Sequence, residues 1–168
     1  MHFEHLVQIN DPLMPLLDPL SRAQLWNGLV RRAEEPTLFV LGLEAATIHA
    51  RRGDGDAEEL ERTLDFGNFQ VRDRVVLRPM ASTRTHVAAC ERFPSSSMTI
   101  AIEEPQPELL FLRFVYEIDD AVEAARRDDR AAGELDATTE TLRREAYRTA
   151  DMDTVARIRE LAQAGELG

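Results

Sequence analysis

Lysine is absent from this chain of 168 residues: all 20 of its basic side chains are arginine, the mark of codon bias in a GC-rich genome, which excludes no function. Cysteine occurs once, at Cys90, so no internal disulfide can form, and the paired Cys and His spacings of a zinc site are missing. No metal and no cofactor are indicated. Positive charge is in deficit, 20 basic against 31 acidic residues for a net charge of -11, so a phosphate backbone is repelled by the average surface and a nucleic-acid partner is not expected. Nowhere do apolar residues run for the ~18 that a membrane span needs, and Met1-His2-Phe3-Glu4-His5 has no basic region leading into an apolar one. The expectation is a cytoplasmic protein without membrane contact, as a monomer or homodimer. No Ser-His-Asp order and no glycine-rich phosphate loop is recognisable. Gly53-Asp54-Gly55-Asp56 opens like a calcium loop, but the remaining ligand spacing is missing and it reads as a hairpin turn.

What is present is the composition of one globular domain over residues 1–168, with 43% hydrophobic and 30% charged residues, enough to bury a core unaided. Phe3, Val7 and Ile9 share one parity over residues 3–9, with His5 on the same face, which predicts a half-buried strand that Asn10-Asp11-Pro12 ends. Ser21-Arg22-Ala23-Gln24 is a capping box, so a helix starts at Ser21; Leu25, Trp26, Leu29 and Val30 form its stripe, and Pro36 ends it. From residue 45 to 118 short alternating runs separated by Gly, Asn and Pro predict an antiparallel meander, with strands near 45–52, 58–66, 69–78, 82–90, 97–104 and 109–118. Residues 119–137, rich in Asp, Glu, Arg and Ala, read as a charged loop, an insertion or a solvated helix. A helix over 138–164, stopped by Gly165, carries two stripes, Leu142, Ala146 and Thr149, then Met152, Val155, Ile158 and Ala162. Their phase break at Asp151-Met152-Asp153 predicts a bend there.

The two-residue turn Gly67-Asn68 fixes a hairpin register in which Arg62 faces Asp73 on the inward side, Leu64 faces Val71, Leu60 faces Val75, and Glu61 faces Arg74 outside. An inward ion pair serves either strand register or the polar end of a ligand. A three-residue loop at Pro105-Gln106-Pro107 pairs Ile102 with Leu110, Ile100 with Leu112 and Met98 with Phe114, and Tyr116 also points in. Ala46, Ile48 and Ala50 point in, whereas His49 lies outside beside Glu61. His86 faces Asp73 only if the loop after Arg78 has two residues; three residues put Val87 there, which apolar parity favours.

His2-Phe3-Glu4-His5 through Ile9-Asn10-Asp11-Pro12, Gln24-Leu25-Trp26, Ile102-Glu103-Glu104-Pro105, Leu110-Phe111-Leu112-Arg113-Phe114 and Ala150-Asp151-Met152-Asp153-Thr154-Val155 resemble the AtaL-like family of the START-like, or SRPBCC, superfamily, over residues 2–118 and 140–168. The resemblance implies an α+β helix-grip fold: a curved, seven-stranded antiparallel sheet wrapped around a long C-terminal helix, with short helices between strands 1 and 2. It also implies a hydrophobic cavity between sheet and helix, as in plant pathogenesis-related allergens and bacterial aromatase-cyclases, and no particular reaction.

Three functions fit. The first is binding of a small hydrophobic or aromatic molecule by Met98, Ile100, Leu110, Leu112 and Phe114, oriented by Arg62, Asp73 and Tyr116. In the second, a cyclase, aromatase, dehydratase or isomerase of secondary metabolism folds a polyketide-like chain in that cavity while His5, Asp73 or Tyr116 moves a proton. In the third, a protein-partner module uses 119–139 as its contact.

Overall fold

The computed structural model describes residues 1–119 and 132–168, with side chains of the second stretch from 137 onward. Strand β1 (His2–Gln8) leads through a proline-rich loop to helix α1 (Arg22–Glu34) and a 3-10 turn, Pro36–Leu38, so one α-helix and one short turn separate the first two strands. The meander follows as β2 (Ala45–Gly53), β3 (Glu58–Asp65), β4 (Gln70–Arg78), β5 (Ser82–Val87), β6 (Ser96–Gln106) and β7 (Leu109–Ile118), and helix α2 (Ala132–Gln163) closes the chain. The strands form a single antiparallel sheet in the order β1-β7-β6-β5-β4-β3-β2. Helix α2 already begins at Ala132; most of the expected charged segment at 119–137 lies outside the described residues.

Local chemistry explains the element boundaries. The Ser21 side chain accepts from the Gln24 amide while the Gln24 side chain accepts from the Ser21 amide, completing the capping box. Asn10 closes the loop before it, its amide donating to the Leu20 carbonyl and its oxygen accepting from the Leu20 N–H, each at 2.9 Å. At the far end Gly165 takes φ +75°, and the Glu166 N–H returns to the Leu161 carbonyl, a glycine stop two residues past the last helical one.

Register follows turn length. Positive φ at Gly67, with Phe66 and Phe69 joined across it, gives the pairs Arg62–Asp73, Leu64–Val71, Leu60–Val75 and Glu61–Arg74. Three residues, 79–81, join β4 to β5, so Val87 faces Asp73 and His86 lies opposite Arg74 on the outer side. Two expectations are corrected. The β6–β7 turn is Pro107-Glu108, Glu108 taking positive φ, and an irregularity between Glu103 and Gln106 absorbs one extra residue. Ile102 therefore pairs with Leu112, Ile100 with Phe114 and Met98 with Tyr116. The slip is two residues, so every side chain keeps its face. In β2 a bulge at His49 reverses parity: Ala50 pairs with Glu61 outside, and Arg51, opposite Leu60, reaches Glu34 of α1. His49 is exposed, as expected, and bonds Thr63, while Ala50 takes the position opposite Glu61.

The core lies between the concave face and the two helices. Phe3, Val7, Ile9, Leu25, Leu29, Ile100, Ile102, Leu110, Leu112 and Phe114 pack with Val155, Ile158 and Leu161 of α2. The buried face of α2 is a single stripe. It runs through Asp151, Thr154, Val155, Ile158 and Leu161, with Tyr147 half-buried one turn before. Met152, expected inside, is 53% exposed, Leu142 is 66% exposed, and the helix continues through 151–153. The apparent phase break arises because the inward residue at that turn is an acid. On the convex face Arg113 grips Glu103 with two nitrogens and Glu4 with a third, tying β6, β7 and β1 together.

Candidate functional site

Successive strand registers align inward residues in transverse rows. One row, Leu77, Thr83, Ile100, Phe114 and His5, is sealed under the helices except at His5, whose side chain is 20% exposed. The next, Leu60, Val75, Thr85, Met98 and Tyr116, is half-buried at Thr85 and Met98. In the third, Arg62, Asp73, Val87, Ser96 and Ile118, only the ion pair is fully buried. The concave face is thus packed solid at one end and left half-covered at the other, and polar groups stand where the packing stops.

Two clusters form there. Arg62 lies across from Asp73 with Nε to Oδ1 at 2.9 Å and Nη2 to Oδ2 at 2.6 Å, while its Nη1 donates to the Ala33 carbonyl at the end of α1 at 2.7 Å. Both Asp73 oxygens are occupied by a forked guanidinium, the geometry in which such pairs are strong. The second cluster joins three elements: Tyr116 of β7 donates its hydroxyl to Asp151 Oδ1 on α2, and His5 Nδ1 of β1 lies 3.2 Å from Asp151 Oδ2. Tyr147 stacks on the Tyr116 ring at 4.1 Å between centroids and 9° between planes, and Phe3 stacks against both.

Burial governs the ionisation of these groups. It pushes the Asp151 carboxyl above its ordinary range, against the opposing pull of the Tyr116 and His5 contacts. It also pushes the Tyr116 phenol up, reinforced by the charge and hydrogen bond of Asp151. Tyr116 therefore stays a donor, and Asp151 holds both it and His5 in place. Arg32, on the last turn of α1, has its pKa lowered first by burial, and it feels the charges of Tyr116, Arg62, Asp151 and Asp73.

Of the residues expected at the site, His5 and Tyr116 are brought together, Arg62 and Asp73 form a separate closed pair, and Met98 lies on the half-covered floor between. Ile100, Leu112 and Phe114 are core residues under α2; Leu110 is buried with them and also borders a cleft of about 930 Å³ between the Asn10–Arg22 segment and the β6–β7 turn. Sequence reasoning missed Asp151 and Arg32. The signal for Asp151 was its spacing from Tyr147 and Val155, four residues either way on one helix face. Among the described residues no group of His, Cys, Asp and Glu is arranged to hold a metal ion, and no helix is long and apolar enough to cross a membrane.

A curved antiparallel sheet gripping a long C-terminal helix defines a helix-grip protein of the START-like class. Residues 7–165 match the family described as AtaL, acetylaranotin biosynthesis cluster protein L, and the chain belongs to that family. No curated protein matches the sequence. Among solved structures it is similar to the Zhui aromatase/cyclase from Streptomyces sp. R1128, at 17% identity and TM-score 0.55 over 96% of this chain and 94% of that one. It is also similar to StfQ, a di-domain ARO/CYC of the steffimycin biosynthetic pathway, at 12% identity and TM-score 0.57, with 97% of this chain spanning 50% of that one. Ara h 8.0201 matches at 9% identity and TM-score 0.53 over 98% of each chain. At these identities the likeness is one of fold.

Proposed function

We propose that the protein binds a small, largely apolar, aromatic or polyketide-like molecule against the half-covered end of its concave face. The observation that carries this reading is the change in packing along the face: the rows are sealed at Ile100 and Phe114 but half-covered at Thr85, Val87 and Met98, with two buried polar clusters flanking that floor. Apolar floor with a few fixed polar groups is the usual make-up of a small-molecule site. Family membership supports it, as does a fold shared with aromatase/cyclases.

Methionine methyl NMR tests this directly, because Met98 lies on the floor and Met14 lines the separate cleft. Titration with 2-naphthol should move the Met98 methyl resonance, assigned through Met98→Leu, and leave Met14 in place. Movement of Met14 alone would transfer the site to the cleft and overturn the proposal.

A second reading, proton transfer of the cyclase type, is favoured by one feature: a buried carboxyl of raised pKa joined to a histidine and a tyrosine. Such a group is suited to holding and passing on a proton. Under this reading His5→Asn and Tyr116→Phe bind a poly-β-keto thioester like the parent but turn it over at least tenfold more slowly.

A further inference from the structure

Arg32 is a half-buried cation that has no partner of its own among the described residues. Its Nε is shielded from solvent and donates to nothing, and the side chain makes no hydrogen bond or ion pair with the described residues. Leaving that donor unserved is costly, and unlike lysine the guanidinium cannot escape by giving up its proton. The two carboxylates whose charge it feels are already engaged: Asp73 by two nitrogens of Arg62, Asp151 by Tyr116 and His5.

Position adds a second observation. Asp73 stands on β4 and Tyr116 on β7, three strand spacings apart, about 14 Å along the sheet. Arg32 projects from the last turn of α1, next to the Ala33 carbonyl that Arg62 grips, and senses both clusters. The floor of β5 and β6, with Thr85, Val87 and Met98, lies between the two clusters.

We infer that Arg32 is the counter-ion of the ligand: the molecule taken by this site carries an anionic oxygen, a carboxylate or an enolate, held in a forked pair by the Arg32 guanidinium while its apolar body lies on Met98, Val87 and Thr85. The inference rests on the binding reading above and narrows its ligand class. A planar fork matches two oxygens of a carboxylate, or the paired oxygens of a β-dicarbonyl enolate, better than a point charge does.

A matched probe pair separates the outcomes. 2-Naphthoate and 2-naphthamide have nearly the same shape and differ in charge; each is titrated calorimetrically into the parent protein, Arg32→Met and Arg32→Gln, with circular dichroism confirming the fold of each. The expected result is that the parent prefers naphthoate and that both variants lose at least tenfold affinity for it while holding naphthamide within twofold. Unchanged naphthoate affinity in folded variants, or equal loss of both probes, overturns the role of Arg32 and leaves the binding site standing. A parent protein that binds neither probe overturns the binding reading and this inference with it.

Discussion

Tyr116 and Asp151 meet across the interface of sheet and helix, the phenol of β7 donating to a carboxylate oxygen of α2. The bond fixes where the long helix sits on the sheet, and His5 on the other oxygen ties in the edge strand β1. An acid rather than a leucine occupies this turn of the buried stripe, at 1% exposure.

That acid makes stability fall with rising pH in a predictable way. Burial raises the Asp151 pKa in the folded protein above its unfolded value, so the folded state holds the proton more tightly. The contribution is fully present below the ordinary carboxylate range and is lost as pH rises through the raised value. Asparagine does not titrate and still accepts from Tyr116. The melting temperature of Asp151→Asn relative to the parent should therefore climb steadily from pH 4 to pH 7.5; a flat or falling difference contradicts the assignment.

Tyr116→Phe removes the donor and leaves Asp151 Oδ1 unserved. A hydrogen bond to a charged group contributes roughly 1.5–3 kcal/mol, and denaturant unfolding should show a loss of that order. Because this bond holds the Asp151 pKa down against burial, the variant should also titrate its carboxyl carbon at higher pH than the parent by NMR. A downward shift would mean that Tyr116 is not the partner.

The Arg62–Asp73 pair is closed on itself, with side chains 4% and 1% exposed. Removing one partner strands the other, at a cost of about 3–5 kcal/mol, whereas replacing both with apolar residues is often neutral. Asp73→Ala should lose stability on that scale in urea unfolding, and Arg62→Met with Asp73→Leu should recover most of it. Failure of the double variant to recover would give the pair a role beyond register and satisfaction of the Ala33 carbonyl.

How much of this was legible in the sequence depended on whether the information was local. A two-residue turn determines every pair in its hairpin, which is why Arg62 opposite Asp73 follows from Gly67-Asn68 alone. The β6–β7 register did not follow, because a bulge before Gln106 consumes a residue that a loop-length count assigns to the turn. Parity survived that slip, so the inward set remained readable. Asp151 was hidden for a different reason: hydrophobic periodicity finds a buried face by its apolar members and takes a buried acid for an interruption. Arg32 was hidden similarly, since charges in the last turn of a helix ordinarily serve its dipole.

Helices α1 and α2 approach closely at Gly28, where an added Cβ would lie 2.7 Å from Ile158 Cγ2 and 2.8 Å from Cγ1. Ile158 is fully buried, and these atoms adjoin its own Cβ, so the side chain has no room to retreat. Gly28→Ala gains helix propensity of up to about 1 kcal/mol but forces the helices apart, an overpacking cost of roughly 1–3 kcal/mol. Thermal unfolding should show net destabilisation. Ile158→Ala should cost less in the Gly28→Ala background than in the parent, because it removes both γ carbons that the added Cβ meets.

Arg32 links stability to binding. In the ligand-free protein its shielded Nε donor is unserved, and Arg32→Met removes that cost while filling much of the same volume. A buried unsatisfied polar group costs about 1–3 kcal/mol, more when charged, and for a chain of this size each kcal/mol moves the melting temperature by about 2–4 °C. The variant should therefore melt several degrees above the parent without ligand. Saturating 2-naphthoate should raise the parent's melting temperature and leave that of Arg32→Met nearly unchanged, so the difference narrows as ligand is added. Naphthamide should raise both alike. A residue kept only for packing would give the opposite pattern, a variant that melts lower in every condition, because nothing would be gained by discharging the site.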